Sequence, residues 1–185
     1  MSRKIKVLIT GAGSSVGQAI YKSLKISSLK LKIITADINE LNANLYRSLS
    51  SIIIPKVEKK NSLKWFIKFL RREKIDVLMI GSEYEILFFS KYKDLIEKKT
   101  GTIICVSNYN TCKISDDKLA TQIFLKNNNF DYLKTYKIKN KHDLIDKSKT
   151  LKFPMVLKDR KGTSSRNVFI IKRREELKKY YDEKR

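Results

Sequence analysis

The sequence predicts an α/β fold, a parallel sheet with helices on both faces, followed by a smaller α+β unit. Short, near-continuous apolar runs alternate with amphipathic stretches up to about Asn110. Strands of that kind belong to a sheet buried on both sides, because right-handed crossovers lay the connecting helices over its two faces. The first run ends in a glycine-rich turn, and after Val106 the pattern changes.

Lys4–Thr10 is a β-branched run that ends in Gly11-Ala12-Gly13-Ser14-Ser15-Val16-Gly17. The periodicity then predicts a helix from about Val16 to Lys25, with Val16, Ile20 and Leu24 facing inward. Leu31–Ala36 is a second strand closing on Asp37, and Ile52–Ile54, before Pro55, a third. Between them lies a short or irregular helix around Leu41–Leu49. Leu63–Arg72 carries Leu63, Phe66, Ile67 and Leu70 at helical spacing, with lysines and arginines opposite. Ile75–Ile80 is a fourth strand stopped by Gly81-Ser82-Glu83, followed by a helix over roughly Tyr84–Lys98 and a fifth strand, Thr102–Val106. This first part is Rossmann-like, and ligands of such sheets sit at the carboxyl ends of the strands.

A boundary near Asn110 divides the chain into 1–110 and 111–185. Ser107–Asp116 is polar, and a helix starts near Asp117 with Leu119, Ile123 and Phe124 as its buried stripe. The segment Tyr132–Lys139 and a short helix near His142–Lys147 follow. Strands Met155–Lys158 and Val168–Ile171 flank a polar turn, Asp159–Asn167, and a last helix begins at about Arg174.

A chain of 185 residues holds one ordinary core and a small second unit, not two complete catalytic domains. The net charge of +22 invites a nucleic-acid partner. The lysines, however, are spread along the whole chain rather than gathered on one element, so that partner is not expected. No run reaches the ~20 apolar residues of a membrane span, and the amino terminus does not resemble a signal sequence, so a cytoplasmic protein is expected. Cys105 and Cys112 lack metal or redox spacing, and His142 stands alone in a polar stretch.

Two loops carry the candidate chemistry. Gly11, Gly13 and Gly17 permit a tight turn whose amides face an anion at a helix start, and Asp37 stands where a dinucleotide fold uses a carboxylate on a ribose. The same glycines would also serve only to pack strand against helix. In the second loop, Lys158 ends a strand and is followed by Asp159-Arg160-Lys161-Gly162-Thr163-Ser164-Ser165-Arg166-Asn167. An ammonium there can meet one phosphate while loop amides and hydroxyls cover others. An ordinary basic hairpin has the same composition.

The order of features is more specific than any one of them. Ile9-Thr10-Gly11-Ala12-Gly13-Ser14 is followed by Ala36-Asp37-Ile38 and Gly81-Ser82-Glu83, then by Ser115-Asp116-Asp117-Lys118 with Thr121 and Phe124-Leu125-Lys126. Phe153-Pro154 then leads to Lys158. Over nearly its whole length the chain resembles the N-terminal part of the carbamoyl-phosphate-synthase-like branch of the ATP-grasp superfamily.

The resemblance implies a Rossmann-like domain that helps hold substrate, through Gly11, Gly13, Ser14, Asp37, Ser82 and Glu83, followed by an incomplete ATP-grasp α+β subdomain. It implies nucleotide contacts from Lys118 and Lys158, a mobile loop of Gly162, Thr163, Ser164, Ser165 and Arg166, and a helix-capping Asp117. ATP with Mg2+ is the implied cofactor of the complete enzyme, which would join a small carboxylate to an amine through an acyl phosphate. The family's Mg2+-binding acidic and asparagine residues lie well beyond the loop, whereas this chain ends at Arg185. The expectation is therefore that it does not catalyse alone, and that a C-terminal half or second subunit is a partner; a homodimer is a further possibility. The readings kept beside this one are a fragment of an NAD(P)-dependent oxidoreductase or epimerase, for which no convincing Tyr-x-x-x-Lys pair follows the fourth strand, and a non-catalytic basic binding module.

Overall fold

The computed structural model describes residues 3–162 and 167–177. The chain divides into two compact units, Met1–Cys112 and Lys113–Arg185. That division falls inside a helix just beyond Asn110.

The first unit runs β1 (Ile5–Thr10), α1 (Ser15–Lys25), β2 (Leu31–Asp37), α2 (Ala43–Arg47), β3 (Ser51–Ile53), α3 (Ser62–Glu73), β4 (Val77–Ile80), α4 (Glu83–Thr100) and β5 (Ile103–Cys105). All strand pairs are parallel, in the order β3-β2-β1-β4-β5. The register lines up Ile34, Leu8, Leu78 and Ile104 across four strands. All four are buried, and they join one core with Phe66 and Leu70 of α3 and Phe89 and Ile96 of α4. The Phe66 and Phe89 rings meet edge to face at 5.0 Å, an arrangement worth about 1 kcal/mol beyond area burial. Val7 and Ile9 flank Leu8 on the opposite pleat and are buried too, so both sheet faces are covered.

Two expectations about helix faces need correction here. In α1, Val16 is exposed and the buried residue is Gly17, with Ile20, Tyr21 and Leu24 half-buried along the same side. A side chain at the first turn would collide with the loop after β1, so the inward face begins with glycine. In α3 the buried set includes Phe69, which stacks on Trp65 at 5.1 Å and lies outside the expected stripe.

A helix, α5 (Tyr109–Asp116), already runs through the segment read as polar and irregular. The Asn108 side-chain oxygen accepts from the Thr111 amide at 2.9 Å and starts it, and Cys112 is its buried anchor. The second unit continues with α6 (Lys118–Asn127), α7 (Lys141–Ser148), β6 (Met155–Lys158) and β7 (Val168–Ile171), the two strands forming an antiparallel hairpin. Its core is Leu144, Ile171 and Leu177, against which Ile138, Phe153, Met155 and Leu157 pack. The stripe expected on α6 is not buried: Ile123 is 50% and Phe124 43% exposed. Periodicity shows that a helix could bury a face, while this core is built on α7 and the hairpin instead. The last helix, expected from Arg174, lies largely outside the described residues. Among the described residues no helix is long and apolar enough to cross a membrane.

Candidate functional site

The loops after β1, β2 and β4 meet at the carboxyl ends of the central strands. Gly11 has φ +54°, and a Cβ there would lie 2.6 Å from Ser82 Cβ, so the first and fourth loops touch backbone to backbone. Ser14 joins them: its hydroxyl donates to Gly81 O at 2.6 Å and accepts from Gly17 N at 2.9 Å, capping α1.

Asp37 is buried and engaged by its own chain. Its carboxylate accepts from Gly13 N at 2.9 Å, Asn39 N at 3.1 Å and the Asn42 amide at 3.0 Å. Asn42 also fills the space over Gly13, where a Cβ would lie 1.5 Å from its amide nitrogen. The carboxylate that a dinucleotide ribose would need thus holds the glycine loop, and an amide occupies the approach to that loop. Sequence reading missed Asn42, and with it buried Asn44, whose amide donates to Ala12 O at 2.7 Å.

In the fourth loop Ser82 is half-buried and Glu83 exposed. The buried carboxyl is Glu85, in the first turn of α4 and 5% exposed. Burial above all pushes it up to about 7; the Thr10 hydroxyl beside it works in the opposite direction, and the Asp37 and Glu58 carboxylates reinforce the rise. Thr10 is fully buried. The two do not reach hydrogen-bonding geometry, so Thr10 Oγ1 and Glu85 Oε2 lack a partner among the described residues. The pattern Glu83-Tyr84-Glu85 carried a signal for this, because residues two apart on a helix cannot share a face.

In the second unit Asp117 caps α6 by accepting from Leu119 N at 3.0 Å and Ala120 N at 3.1 Å. The Arg160 guanidinium also grips it, through Nε to Oδ1 at 3.0 Å and through Nη2 to Oδ2. Lys118 N donates to Arg160 O at 3.0 Å, and Lys118 Nζ reaches Gly162 O at 2.8 Å. Asp159 accepts from Asn167 Nδ2 at 2.8 Å across the hairpin. Thr163, Ser164, Ser165 and Arg166 lie outside the described residues.

The hairpin has two different faces. Met155, Leu157, Phe169 and Ile171 are paired across the strands and turn toward the core. Val156, Lys158, Val168 and Ile170 alternate with them on the other face, where Val156 is 54% and Ile170 59% exposed. Sequence reading identified Lys158 but not the apolar residues that share its face. Their alternation with the inward residues was the available signal. Among the described residues no group of three or more His, Cys, Asp or Glu could hold a metal ion.

The family model of the PylC-like N-terminal domain matches residues 7–105, more than half of the chain. The chain belongs to the PylC-like N-terminal domain family. In this family's terms the match spans the sheet from β1 to β5 and includes the loops that carry Gly11, Asp37, Ser82 and Glu85. No curated protein matches the sequence.

Solved structures share the fold over almost the entire chain. The biotin carboxylase domain of Hydrogenobacter thermophilus 2-oxoglutarate carboxylase, solved with MgADP, ADP and bicarbonate, is 13% identical with a TM-score of 0.72, covering 98% of this chain and 41% of that one. N5-carboxyaminoimidazole synthetase from Staphylococcus aureus, complexed with ADP, is 19% identical with a TM-score of 0.71, covering 97% and 45%. The L-amino acid ligase of Bacillus licheniformis is 16% identical with a TM-score of 0.68, covering 99% and 43%. At these identities the likeness is one of fold, that of the N-terminal part of ATP-grasp ligases, as the motif order indicated. The chain spans less than half the length of these proteins.

Proposed function

We propose that the chain is the N-terminal portion of an ATP-dependent carboxylate–amine ligase that binds nucleotide on the outer face of the β6–β7 hairpin. The observation that carries this reading is the company Lys158 keeps. Its ammonium has no hydrogen bond or ion pair among the described residues, and it stands beside exposed Val156, Val168 and Ile170. An unpaired cation next to an open apolar surface suits a ligand with phosphates at one end and a flat base at the other. Lys118, aimed at Gly162 O, supplies a second cation at the start of the loop.

ATP fits these residues, and when bound it supplies the phosphoryl group that activates a carboxylate; the acyl-phosphate route and the identity of carboxylate and amine belong to this proposal. Mg2+ does not fit them, since the described residues hold no ligand set. Its ligands are assigned to a C-terminal ATP-grasp half or a second subunit, and the chain by itself binds without catalysing. The structural neighbours with ADP bound support the nucleotide, and one of them is described as a dimer, which makes self-association a partner to examine. The dinucleotide reading is disfavoured by the engagement of Asp37 and the position of Asn42.

Titration calorimetry of the chain with ATP and with ADP, each with and without Mg2+, tests this. Lys158→Ala should weaken binding by ten- to a hundredfold, the equivalent of a lost charge-assisted hydrogen bond of about 1.5–3 kcal/mol. Unchanged affinity in the Lys118→Ala/Lys158→Ala double variant overturns the assignment.

A further inference from the structure

Thr10 ends β1 and Glu85 opens α4 after β4, the neighbouring strand. The chain leaves β1 toward β2 on one side of the sheet, while β4 leads to β5 on the other. Such a reversal opens the crevice in which α/β sheets take ligands. There the structure leaves two buried side-chain oxygens with nothing to accept from or donate to, Thr10 Oγ1 and Glu85 Oε2. Buried polar atoms are nearly always paired, so an orphaned pair marks a group missing from its place.

We propose that Thr10 and Glu85 form a subsite for the protonated amino group of a small amine or amino-acid substrate. The surroundings choose the chemistry. Glu85 is held near two further carboxylates, Asp37 and Glu58, which makes this a locally negative place in a chain of net charge +22. Asp37 is already saturated by Gly13, Asn39 and Asn42, so Glu85 is the carboxyl left with an unused lone pair. An ammonium has three donors and a full positive charge. It satisfies both orphaned oxygens and offsets the repulsion among the carboxylates, whereas a water molecule satisfies the oxygens and leaves the charge.

Size points the same way. With Thr10 fully buried and Glu85 5% exposed, the subsite admits a head about as large as a water molecule, which an ammonium is and a phosphate is not. One carboxyl and one hydroxyl are too few for a metal site, in keeping with the lack of any three-ligand group among the described residues. The inference rests on the ligase reading for its ligand class, the amine acceptor, and it places that amine in the first unit.

The test uses glycinamide and ethanolamine as probes, each against its N-acetyl counterpart, with the full chain at pH 8, followed by titration calorimetry and thermal melting. The free amines should bind and raise the melting temperature, and the acetylated forms should not. Glu85→Gln and Thr10→Val, which keep side-chain volume, should each weaken amine binding at least tenfold. If Glu85→Gln fails to fold, Thr10→Val decides alone. Equal binding by the variants and the parent, or no binding of either amine by the parent, overturns the subsite. ATP is titrated into the same parent sample: amine binding without nucleotide binding sinks the ligase reading and leaves the subsite standing, while nucleotide binding without amine binding does the reverse.

Discussion

Arg160, in the hairpin turn, holds both carboxylate oxygens of Asp117, the residue that caps α6. One carboxyl group therefore closes a helix end and ties down the start of the loop that follows Lys158. Asp117→Ala should lower unfolding free energy by about 2 kcal/mol, combining a lost cap of about 1 kcal/mol with a lost charge-assisted pair. Arg160→Ala should cost less, since Asp117 keeps its two backbone donors. Urea titrations of the two variants give the comparison.

The same carboxyl has a pH signature. The Arg160 hydrogen bond, helped by the Leu119 and Ala120 amides, holds Asp117 below the ordinary aspartate range. A depressed folded value stabilises above the unfolded pKa, and the benefit vanishes as pH falls through the folded one. The stability difference between the parent and Asp117→Ala should thus be constant from pH 8 to 5 and shrink only in stronger acid. A difference that instead faded on going from pH 5 to 8 would contradict the assignment.

Glu85 should behave oppositely. Its carboxyl rises from 4.5 to about 7 on folding, so the folded state binds the extra proton between those values. Stability then declines as pH climbs from about 4.5 toward 7, by an amount on the order of 3 kcal/mol at most. Glu85→Gln, which carries no such proton, should be more stable than the parent at pH 8 and differ little at pH 4.5. Melting curves at the two pH values are sufficient, and a destabilised variant at pH 8 would refute the prediction.

Gly17 tests how closely the first loop packs. Gly→Ala inside a helix ordinarily stabilises by about 1 kcal/mol. Here the added Cβ would lie 2.3 Å from Gly11 O and 2.8 Å from Ala12 Cα, both backbone atoms. Gly17→Ala should destabilise by several kcal/mol or prevent folding. Gly101→Ala, whose Cβ meets nothing within 4 Å but whose φ is +73°, should cost only about 1 kcal/mol. Circular dichroism melts of both variants check the ranking.

NADH fluorescence should be unchanged on addition of the chain, because Asp37 is committed to Gly13, Asn39 and Asn42 and the Asn42 amide covers Gly13. Saturable quenching would revive the dinucleotide reading.

The order of elements, the parallel first unit and the hairpin strands Met155–Lys158 and Val168–Ile171 were legible in the residues themselves. They depend on local periodicity and on glycine turns, which are properties of neighbouring positions. The family resemblance was legible as well, because it lies in the succession of short motifs. What only the tertiary structure decided are matters between distant segments. Glu85 rather than Glu83 is buried because α4 sets its first turn against the end of β1, and Asn42 reaches Gly13 because α2 starts beside the first loop. Ile123 and Phe124 stay exposed because the second core forms on α7 and the hairpin. Burial, and with it the charge state of a carboxyl, depends on what the rest of the chain places around a side chain, and spacing along a sequence does not record that.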